Sequence, residues 1–456
     1  MIYYTLYHSA RQRPENRRPG REKREGIWMK KRRCCASALL CALMMSGCSY
    51  SFGASGVEDL LRAPQFSGQT NQVQKALTAY LGESPQLKYP TGGDHLSPFI
   101  FDDWDGDGQE DAAVFYTCAS KGTNVQLAIL EQQEGSWWVT QEREGLSTEV
   151  ESVSLAAMDS SPAQQLLVGY TSSRGDQYLS VYAYQERTLH TVLQQSYDGW
   201  LLADVTGDGS DDLLLLLPPE QNESVQVSLL TNADGSFRLT QQLSVGQGVY
   251  TGCEALCAGT GTNGQPYLVL DGKVGSYLAS SILIYDDSVG QMQVYNPPGY
   301  EDVYAATTRY NTALISRDLD GNGTVDIPSQ KNGDSNINLA VEHRLSYVIW
   351  NDYTGGDQGN TQFGVLDGEY NFFLRLPLDW QGVILLDENP THDGWRVLSA
   401  ANGEQLLEIR ILAMDSTLEE EYTRVAIIGR QQVCVKLNTE PDVLTVQQVE
   451  NGICIL

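Results

Sequence analysis

The stretch Asp103-Trp104-Asp105-Gly106-Asp107-Gly108-Gln109-Glu110-Asp111 has two relatives elsewhere in this chain of 456 residues. Residues 204–212 are DVTGDGSDD, and residues 318–326 are DLDGNGTVD. In all three copies, positions 1, 3, 5 and 9 carry oxygen-bearing side chains and position 6 is glycine, which lets the backbone turn sharply where a Cβ atom would clash. A single copy would be explained equally well as a polar turn. Three copies in one register predict a tight loop that wraps oxygen atoms around a cation.

Calcium fits this arrangement because it is a hard cation that takes six to eight oxygen ligands at about 2.3–2.6 Å. Alternate side chains of a tight loop can supply several of these oxygens. The main-chain carbonyl of position 7, which belongs to Gln109, Ser210 or Thr324, is expected to point inward as a further ligand. The sequence therefore predicts Ca²⁺ as the bound ion.

The residues that follow each loop decide which kind of calcium loop this is. An EF-hand needs flanking helices and a bidentate Glu at position 12, but position 12 is Val114, Leu215 or Ser329. The segments 112–116 and 213–217 are short apolar runs, which are typical of buried strands. The loops are therefore expected to join strand to strand, and an EF-hand is excluded.

The spacing of the loops predicts the architecture. The first and second copies begin 101 residues apart and the second and third 114 residues apart, and each interval is about twice the length of a four-stranded propeller blade. A silent copy, with too few carboxylates to hold a metal ion, is therefore expected in each gap. In the first gap the ligand positions become Ala157, Asp159, Ser161 and Gln165, and in the second Thr260 and Thr262 replace acids. This gives an all-β, propeller-like array of about five blades over residues 92–345.

The loop followed by an apolar strand resembles the FG-GAP/VCBS repeat, which is found in integrin-type β-propellers and many bacterial surface proteins. The resemblance implies that the loops bind calcium and hold blades together, while partners dock elsewhere on the propeller. It also implies three ligand sets: Asp103, Asp105, Asp107 and Asp111; Asp204, Thr206, Asp208 and Asp212; Asp318, Asp320, Asn322 and Asp326. Because Thr206 is not a carboxylate, the second site is expected to be the weakest.

The N-terminal region is similar to a bacterial lipoprotein signal. A basic run at residues 30–33 precedes the apolar stretch 34–45, and Ser46 and Gly47 then lead into Cys48. The apolar stretch is shorter than the roughly 20 residues that span a bilayer, and the pattern is typical of an export signal. Cys48 is therefore expected to carry the lipid that anchors the protein to the exported face of the bacterial cell membrane. An ordinary secretory signal that is cleaved nearby is the alternative.

Five segments are expected along the chain. They are a start-site extension at 1–28, a lipoprotein signal peptide at 29–47, a tether with a short helix at 48–91, the propeller-like domain at 92–345, and a small β-rich domain at 346–456. The helix is predicted by the spacing of Val73, Leu77 and Tyr80, and Gly82 is expected to end it. In the last segment, residues 370–377, 383–386, 406–411 and 425–428 are predicted strands. These strands form either a separate domain, which is the preferred interpretation, or two further blades of a seven-bladed ring.

The charge balance limits the classes of partner. Residues 1–47 contain 11 of the 30 Lys and Arg residues and 3 of the 58 Asp and Glu residues, so the rest of the chain has 19 basic and 55 acidic side chains. Nucleic acid and anionic lipid surfaces would repel such a protein. The membrane is therefore expected to be contacted through the lipid anchor alone, and the partner is expected to be an envelope protein or glycan.

Signals for catalysis are weak. The five histidines are scattered, and no nucleophile elbow or phosphate-binding glycine loop is present. Five cysteines lie outside the export segment, namely Cys118, Cys253, Cys257, Cys434 and Cys454, and their pairing is left open. The sequence favours a non-catalytic binding protein. An envelope polysaccharide hydrolase or lyase is the alternative, and a central cluster of acidic, basic and aromatic residues would favour it.

Overall fold

The structure, a computed structural model, describes residues 68–158, 161–217, 224–233, 235–246, 249–261, 263–299, 302–332, 345–354, 361–440 and 443–456. All of these residues belong to the unit Ser67–Leu456. Cys48, with the expected signal peptide and tether, lies outside the described residues. The described part is all-β, as predicted, and its strands form six sheets.

Each sheet is built mainly from strands that follow one another in the chain, and nearly all pairs are antiparallel. The first sheet contains β1 (Gln86–Leu87), β3 (Phe99–Asp102), β4 (Asp111–Thr117), β5 (Gln126–Gln133) and β6 (Ser136–Glu144). The second contains β2 (Gly92–Gly93), β7 (Glu149–Met158), β8 (Ser161–Thr171), β9 (Gln177–Gln185) and β10 (Thr188–Ser196). The third contains β11 (Gly199–Ala203), β12 (Asp212–Leu217), β13 (Val225–Ala233) and β14 (Ser236–Val245).

The remaining three sheets continue the same pattern. The fourth contains β15 (Gly252–Thr260), β16 (Pro266–Val274), β17 (Tyr277–Asp286) and β18 (Gln291–Tyr295). The fifth contains β19 (Asp326–Asn332), β20 (Leu345–Asp352), β21 (Thr361–Asp367), β22 (Phe372–Leu376) and the C-terminal strand β28 (Ile453–Ile455). The sixth contains β23 (Ile384–Glu388), β24 (Gly394–Ser399), β25 (Gln405–Ala413), β26 (Thr423–Ile428) and β27 (Gln431–Leu437). The helices are α1 (Gly68–Leu81), α2 (Val303–Ala306) and α3 (Val446–Gly452), with 3₁₀ turns at Ala119–Lys121 and Leu378–Trp380.

Consecutive sheets pack face to face because alternate residues of a strand point to opposite faces. In β12, Leu213 and Leu215 enter a core shared with the second sheet, whereas Leu214 and Leu216 enter a core shared with the fourth. Equivalent cores join the first sheet to the second, the fourth to the fifth, and the fifth to the sixth. Among these clusters of described residues, none combines the first sheet with the sixth.

The N-terminal helix α1 is present where the sequence predicted it. Val73 and Leu77 are fully buried, and Gly82 ends the helix with a φ of 73°. The helix contacts β6, where the Tyr80 hydroxyl donates a hydrogen bond to Glu142 Oε2 at 3.1 Å. The amphipathic spacing therefore reflects packing against the first sheet.

This helix covers the face of the first sheet that points away from the second. Glu142 pairs with Ala128 on β5, and Ala128 alternates with Leu127 and Ile129, which belong to the core shared with the second sheet. The first sheet therefore packs against α1 on one face and against the second sheet on the other.

The expected boundary at residues 345 and 346 falls inside the fifth sheet. β20 begins at Leu345 and pairs with β19 on one side and β21 on the other. The connection between β18 and β19 covers residues 296–325, so the fifth sheet begins later in the chain than a regular blade spacing predicts. The strands expected after residue 346 are present. They lie in the fifth and sixth sheets, which share one large hydrophobic core. Leu444, just before α3, and Val449, within α3, also belong to this core.

A buried ion pair fixes the connection between the fourth and fifth sheets. Arg309 Nη2 lies 2.8 Å from Asp271 Oδ2, and both side chains are fully buried. The hydroxyls of Ser280 and Ser316 donate to Asp271 Oδ1 at 2.6 and 2.7 Å. The backbone of Arg309 also forms an antiparallel bridge with Leu278 on β17. The carboxylate of Asp271 therefore has one cationic partner and a complete set of hydrogen bonds.

The sixth sheet carries a partly exposed ion pair between Asp393 and Arg410. Arg410 Nη2 and Nε donate to Asp393 Oδ2 at 2.6 and 2.9 Å, and Asn389 and Thr391 donate to Oδ1. Partial burial opposes ionisation of Asp393, but these donors outweigh it and lower the pKa of the carboxyl to about 2. The ion pair therefore favours the folded state wherever Asp393 is ionised.

We expect Asp393→Asn to lower the free energy of unfolding by about 1–2 kcal/mol at pH 6. Because the folded pKa lies below the unfolded value of about 3.9, the contribution is complete above about pH 5 and disappears as the pH falls toward the folded value. Urea unfolding at pH 6 and pH 2.5 measures this, with the exposed Asp415→Asn as the control. An equal loss of stability at both pH values would contradict the prediction.

All five cysteines within the described residues are free: Cys118, Cys253, Cys257, Cys434 and Cys454. The pairings that the sequence left open, Cys434 with Cys454 among them, are therefore not formed. Among the helices of the described part, none combines the length and the apolar character that a bilayer crossing requires.

Candidate metal centres

The three acidic loops occupy the same place in alternate sheets. They join β3 to β4 in the first sheet and β11 to β12 in the third, and the last leads into β19 of the fifth. In each loop, position 9 begins a strand and pairs with the residue just before position 1: Asp111 with Asp102, Asp212 with Ala203, and Asp326 with Arg317. The predicted strand–loop–strand setting is confirmed for the first two loops, whereas the third follows an isolated bridge at Arg317 and leads into a strand.

The carboxylate at position 1 closes each loop. Asp103 Oδ1 accepts hydrogen bonds from the backbone N–H groups of Gly106 and Asp107, and its Oδ2 accepts from Gly108, at 2.8, 3.0 and 2.9 Å. Asp318 accepts the same three bonds in the third loop at 2.8, 3.0 and 2.8 Å. The loops are thus folded around their first side chain. Because three donors do not use all the acceptor positions of a carboxylate, its two oxygens can also contact a cation.

Glycines at positions 4 and 6 make this turn accessible. Their φ angles are positive in all three loops, between 73° and 90°, in the left-handed region that favours glycine: Gly106, Gly108, Gly207, Gly209, Gly321 and Gly323. The requirement is conformational rather than steric, because a Cβ atom would meet open space at five of these positions. A glycine requirement was predicted for position 6 only, although position 4 is also glycine in every copy.

The side chain at position 5 bonds within the loop rather than toward the other acids. Its Oδ1 accepts from the backbone N–H of position 7 at 2.8, 2.9 and 2.7 Å: Asp107 from Gln109, Asp208 from Ser210, and Asn322 from Thr324. Since an amide oxygen serves this purpose as well as a carboxylate oxygen, Asn322 fits where the other copies have Asp.

The carboxylate at position 9 is buried and only partly satisfied. Its Oδ2 accepts from the backbone N–H of position 2 at 3.2, 3.1 and 3.0 Å in Asp111, Asp212 and Asp326. Asp212 and Asp326 are fully buried, and Oδ1 of each has no hydrogen-bond partner within the described part of the chain. A buried carboxylate oxygen without a partner is costly, and a cation is a suitable partner for each of these oxygens.

Three carboxylates converge in the first and third loops. Oxygens of Asp103, Asp105 and Asp111 all lie within 4.8 Å of one another, and so do those of Asp318, Asp320 and Asp326. Both groups consist of positions 1, 3 and 9. Asp107, an expected ligand at position 5 of the first loop, is not part of its group.

The second loop differs because position 3 is Thr206. Its hydroxyl donates a hydrogen bond to Asp212 Oδ2 at 3.0 Å. Asp204 accepts from the backbone of Asp208 and Gly209, as in the other loops, but no third carboxylate of the described residues joins Asp204 and Asp212. The second loop therefore has the same backbone form with less negative charge.

Burial and neighbouring carboxylates raise the pKa values of the position-9 acids. Burial, followed by the negative charge of Asp105, raises the pKa of Asp111 to about 7. Burial, followed by the charges of Asp320 and Asp318, raises the pKa of Asp326 to about 6. Burial also raises the pKa of Asp212. A cation bound beside these acids would favour their ionised forms.

A further acid lies near the first loop. The charge of Glu131, on β5, contributes to the raised pKa values of Asp105 and Asp111. Glu131 forms an ion pair with Arg187 and accepts a hydrogen bond from the Tyr184 hydroxyl at 2.6 Å. Both partners lie in the β9–β10 hairpin of the second sheet. Nothing in the loop sequence points to Glu131, because it is distant in the chain.

The loops expected to lack ligands lie in the second and fourth sheets. Ala156 pairs with Gln165, which is the same register as in the acidic loops, so Gln165 occupies position 9. Its Nε2 donates to the carbonyl of Gly235 at 2.8 Å. In the fourth sheet Thr260 pairs with Pro266, which leaves a shorter loop. Asp159 and Thr262 lie outside the described residues.

No family model matches the chain, and no curated protein matches it. Solved structures with limited similarity include a protein from Lactobacillus plantarum, at 13% identity over 75% of this chain and 87% of that chain, with a TM-score of 0.27. A rhamnogalacturonan lyase from Bacillus licheniformis matches at 9% identity over 70% of this chain and 76% of that chain, with a TM-score of 0.28. Saccharomyces cerevisiae Sqt1 matches at 11% identity over 76% of this chain and 99% of that chain, with a TM-score of 0.31. TM-scores at this level identify neither a family nor an activity.

Proposed function

We propose that this chain is a calcium-binding, non-catalytic surface lipoprotein that presents its sheets to an envelope protein or glycan. One observation carries the calcium assignment. The same loop is built three times, and in two copies a fully buried Asp oxygen, Oδ1 of Asp212 or Asp326, has no hydrogen-bond partner within the described residues. In an isolated acidic turn on a protein surface, such an oxygen would be expected to contact solvent.

The donor set fits calcium better than a softer metal. The side chains at positions 1, 3 and 9 offer oxygen alone, with no imidazole or thiolate, and hard divalent cations prefer such ligands. When bound, calcium supplies positive charge that offsets the repulsion among the converged carboxylates. Asp103, Asp105 and Asp111 would hold the first ion, and Asp318, Asp320 and Asp326 the third. Asp204, Thr206 and Asp212 would form the second and weakest site.

The alternation of the loops supports the FG-GAP/VCBS assignment as part of this proposal. Acidic loops occur in the first, third and fifth sheets. The same connections of the second and fourth sheets have fewer acids, with Gln165 at position 9 in one and Thr260 in place of an acid in the other. A propeller-like array explains this periodicity, because each blade repeats one meander. A closed ring of sheets is also part of this proposal. Closure would require the sixth sheet to reach the first sheet, whose outer face is covered by α1.

The buried thiols of Cys253 and Cys257 are poor nucleophiles, which agrees with the non-catalytic assignment. Burial, followed by the charge of Asp271, raises the pKa of Cys257 to about 12 and raises that of Cys253 further, so both thiols stay protonated near neutral pH. The alternative, a hydrolase or lyase of envelope polysaccharide, predicts release of sugar ends from envelope preparations. Lipid attachment at Cys48 and an exported location complete the proposal, supported by the lipobox-like sequence.

Calcium titration of loop variants tests the metal assignment. We expect Asp326→Asn to weaken one of three calcium sites by at least about tenfold, because ligand charge sets affinity in such loops. Thr206→Asp is expected to strengthen the weakest site. Isothermal titration of the full chain measures both, with the exposed Asp287→Asn as a matched control for lost charge. Equal effects of Asp326→Asn and Asp287→Asn would exclude a site in the third loop.

A further inference from the structure

A cavity of about 430 Å³ lies where β7, β11 and β15 of three consecutive sheets come together. Its lining includes Glu151 from β7, Asp198 and Trp200 at the start of β11, and Glu254 from β15. Its volume lies in the range typical of small-molecule sites. None of the lining residues belongs to the acidic loops, so the cavity is separate from the candidate metal centres.

The charged side chains that line the cavity are all acidic. They are Asp94, Glu151, Asp198 and Glu254, and no Lys, Arg or His lines it. Glu254 pairs with Lys273 at 2.9 Å, and the charge of Lys273 also interacts with Asp198. Asp94 and Glu151 have no cationic partner among the described residues. The cavity therefore repels anions, uronic acids among them, and attracts cations.

One side of the cavity is apolar and aromatic, which distinguishes the cavity from a surface patch of acids, while Ser152, Ser154 and Gln177 add polar groups to the rest of the lining. Trp200 and Tyr197 line it together with Leu201, Leu202 and Leu256. Tyr197 is buried, and Trp200 is half-buried with part of its ring available. Such a wall suits the methylene groups of a ligand and places an aromatic ring near its positive charge, which an ammonium group favours.

The carboxylates are held in place before any ligand arrives. Glu151 accepts from the Tyr197 hydroxyl and from Gln177 Nε2, the latter at 2.9 Å. Asp198 Oδ2 accepts from the backbone N–H of Cys253 at 3.2 Å, which links the third sheet to the fourth. A carboxylate has about four acceptor positions, so each retains capacity for a donor from a ligand. Fixed acceptors reduce the entropy lost on binding.

We propose that this cavity binds a linear polyamine, an organic cation in which ammonium groups alternate with short methylene chains. The ammonium groups match the carboxylates of Glu151 and Asp198, and the methylene groups match the leucine and aromatic wall. An inorganic cation would leave the apolar wall unused, and a neutral sugar would leave the negative charge uncompensated. Each part of the cavity therefore has a counterpart in this class of ligand.

Titration of the full chain with spermidine, in saturating calcium and moderate salt, tests the proposal. Saturating calcium removes competition at the acidic loops, so failure here is distinguishable from failure of the metal assignment. We expect one spermidine per chain, about tenfold weaker binding in Asp198→Asn, and roughly fivefold weaker binding in Trp200→Phe. Asp198→Asn retains the shape of the side chain and Trp200→Phe retains a smaller aromatic ring, and thermal melting verifies that both variants fold.

Two comparisons decide between this cavity and general attraction to an acidic protein. The exposed Asp287→Asn removes the same charge away from the cavity and is expected to leave spermidine affinity unchanged. Maltotriose, a neutral sugar of similar length, is expected not to bind. The proposal is overturned if spermidine does not bind, if Asp287→Asn and Asp198→Asn weaken it equally, or if maltotriose binds with the same dependence on Asp198.

Discussion

Chelation of calcium with EDTA is expected to lower the melting temperature of the full chain by roughly 5–10 °C. A ligand that binds only the folded state stabilises it by mass action, by about 2.7 kcal/mol for one site when the free ion is at 100 times its Kd. Without the ion, the converged carboxylates of the first and third loops repel one another, and the buried oxygens of Asp212 and Asp326 lose their counter-charge. Calorimetry in calcium and in EDTA measures the difference.

The triple variant Asp111→Asn, Asp212→Asn and Asp326→Asn is the control for this experiment. It removes the buried charge at position 9 of every loop and preserves side-chain volume. Its melting temperature is expected to be insensitive to EDTA and, in EDTA, to equal or exceed that of the unmodified chain, because isolated buried charge is costly. An undiminished response to EDTA in the triple variant would contradict calcium binding at the three loops.

Arg309→Met is expected to lower the free energy of unfolding by about 3–5 kcal/mol. The substitution leaves the carboxylate of Asp271 fully buried with two serine hydroxyls and no cation. It also removes guanidinium hydrogen bonds to the Ser280 hydroxyl and the carbonyl of Thr307. Urea unfolding of the full chain measures the loss.

A surface ion pair provides the matched control for this prediction. Arg396→Met breaks a pair with Asp387 of similar geometry, at 2.6 Å, in which both partners contact solvent, and it is expected to cost no more than about 1 kcal/mol. Replacing Arg309 and Asp271 together, with Met and Leu, is expected to recover much of the stability because no unpaired charge remains. Similar losses in Arg309→Met and Arg396→Met would refute the structural importance assigned to the buried pair.

Features that depend on neighbouring residues could be predicted from the sequence. The first and second acidic loops lie between strands because each is followed directly by an apolar run, at 112–116 and 213–217, whereas the third is followed by the mostly polar segment 327–332. The helix α1 follows from the spacing of Val73 and Leu77, and Gly82 ends it. The positions of the loops in alternate sheets also follow from the sequence, because their spacing is close to twice the length of one meander.

Features that depend on distant residues could not be predicted. The fifth sheet extends across residue 345 because β20 pairs with β19 over a long connection, and β28 joins it from the C-terminus. The cluster around Asp271 draws on Ser280, Arg309 and Ser316, which no local pattern connects. The sequence predicted that the side chains at positions 1, 3, 5 and 9 of each loop point inward together. Position 5 instead accepts a hydrogen bond from the backbone of position 7, and this bond depends on the detailed turn geometry.

A crystal structure of the full chain grown in calcium, with anomalous diffraction data, would locate the bound ions. We expect an anomalous peak in each acidic loop, bound by Asp103, Asp105 and Asp111 in the first loop and by Asp318, Asp320 and Asp326 in the third. The second loop is expected to show the weakest peak, next to Asp212. Loops without ions, with the position-9 carboxylates protonated or bonded to other protein groups, would contradict this expectation.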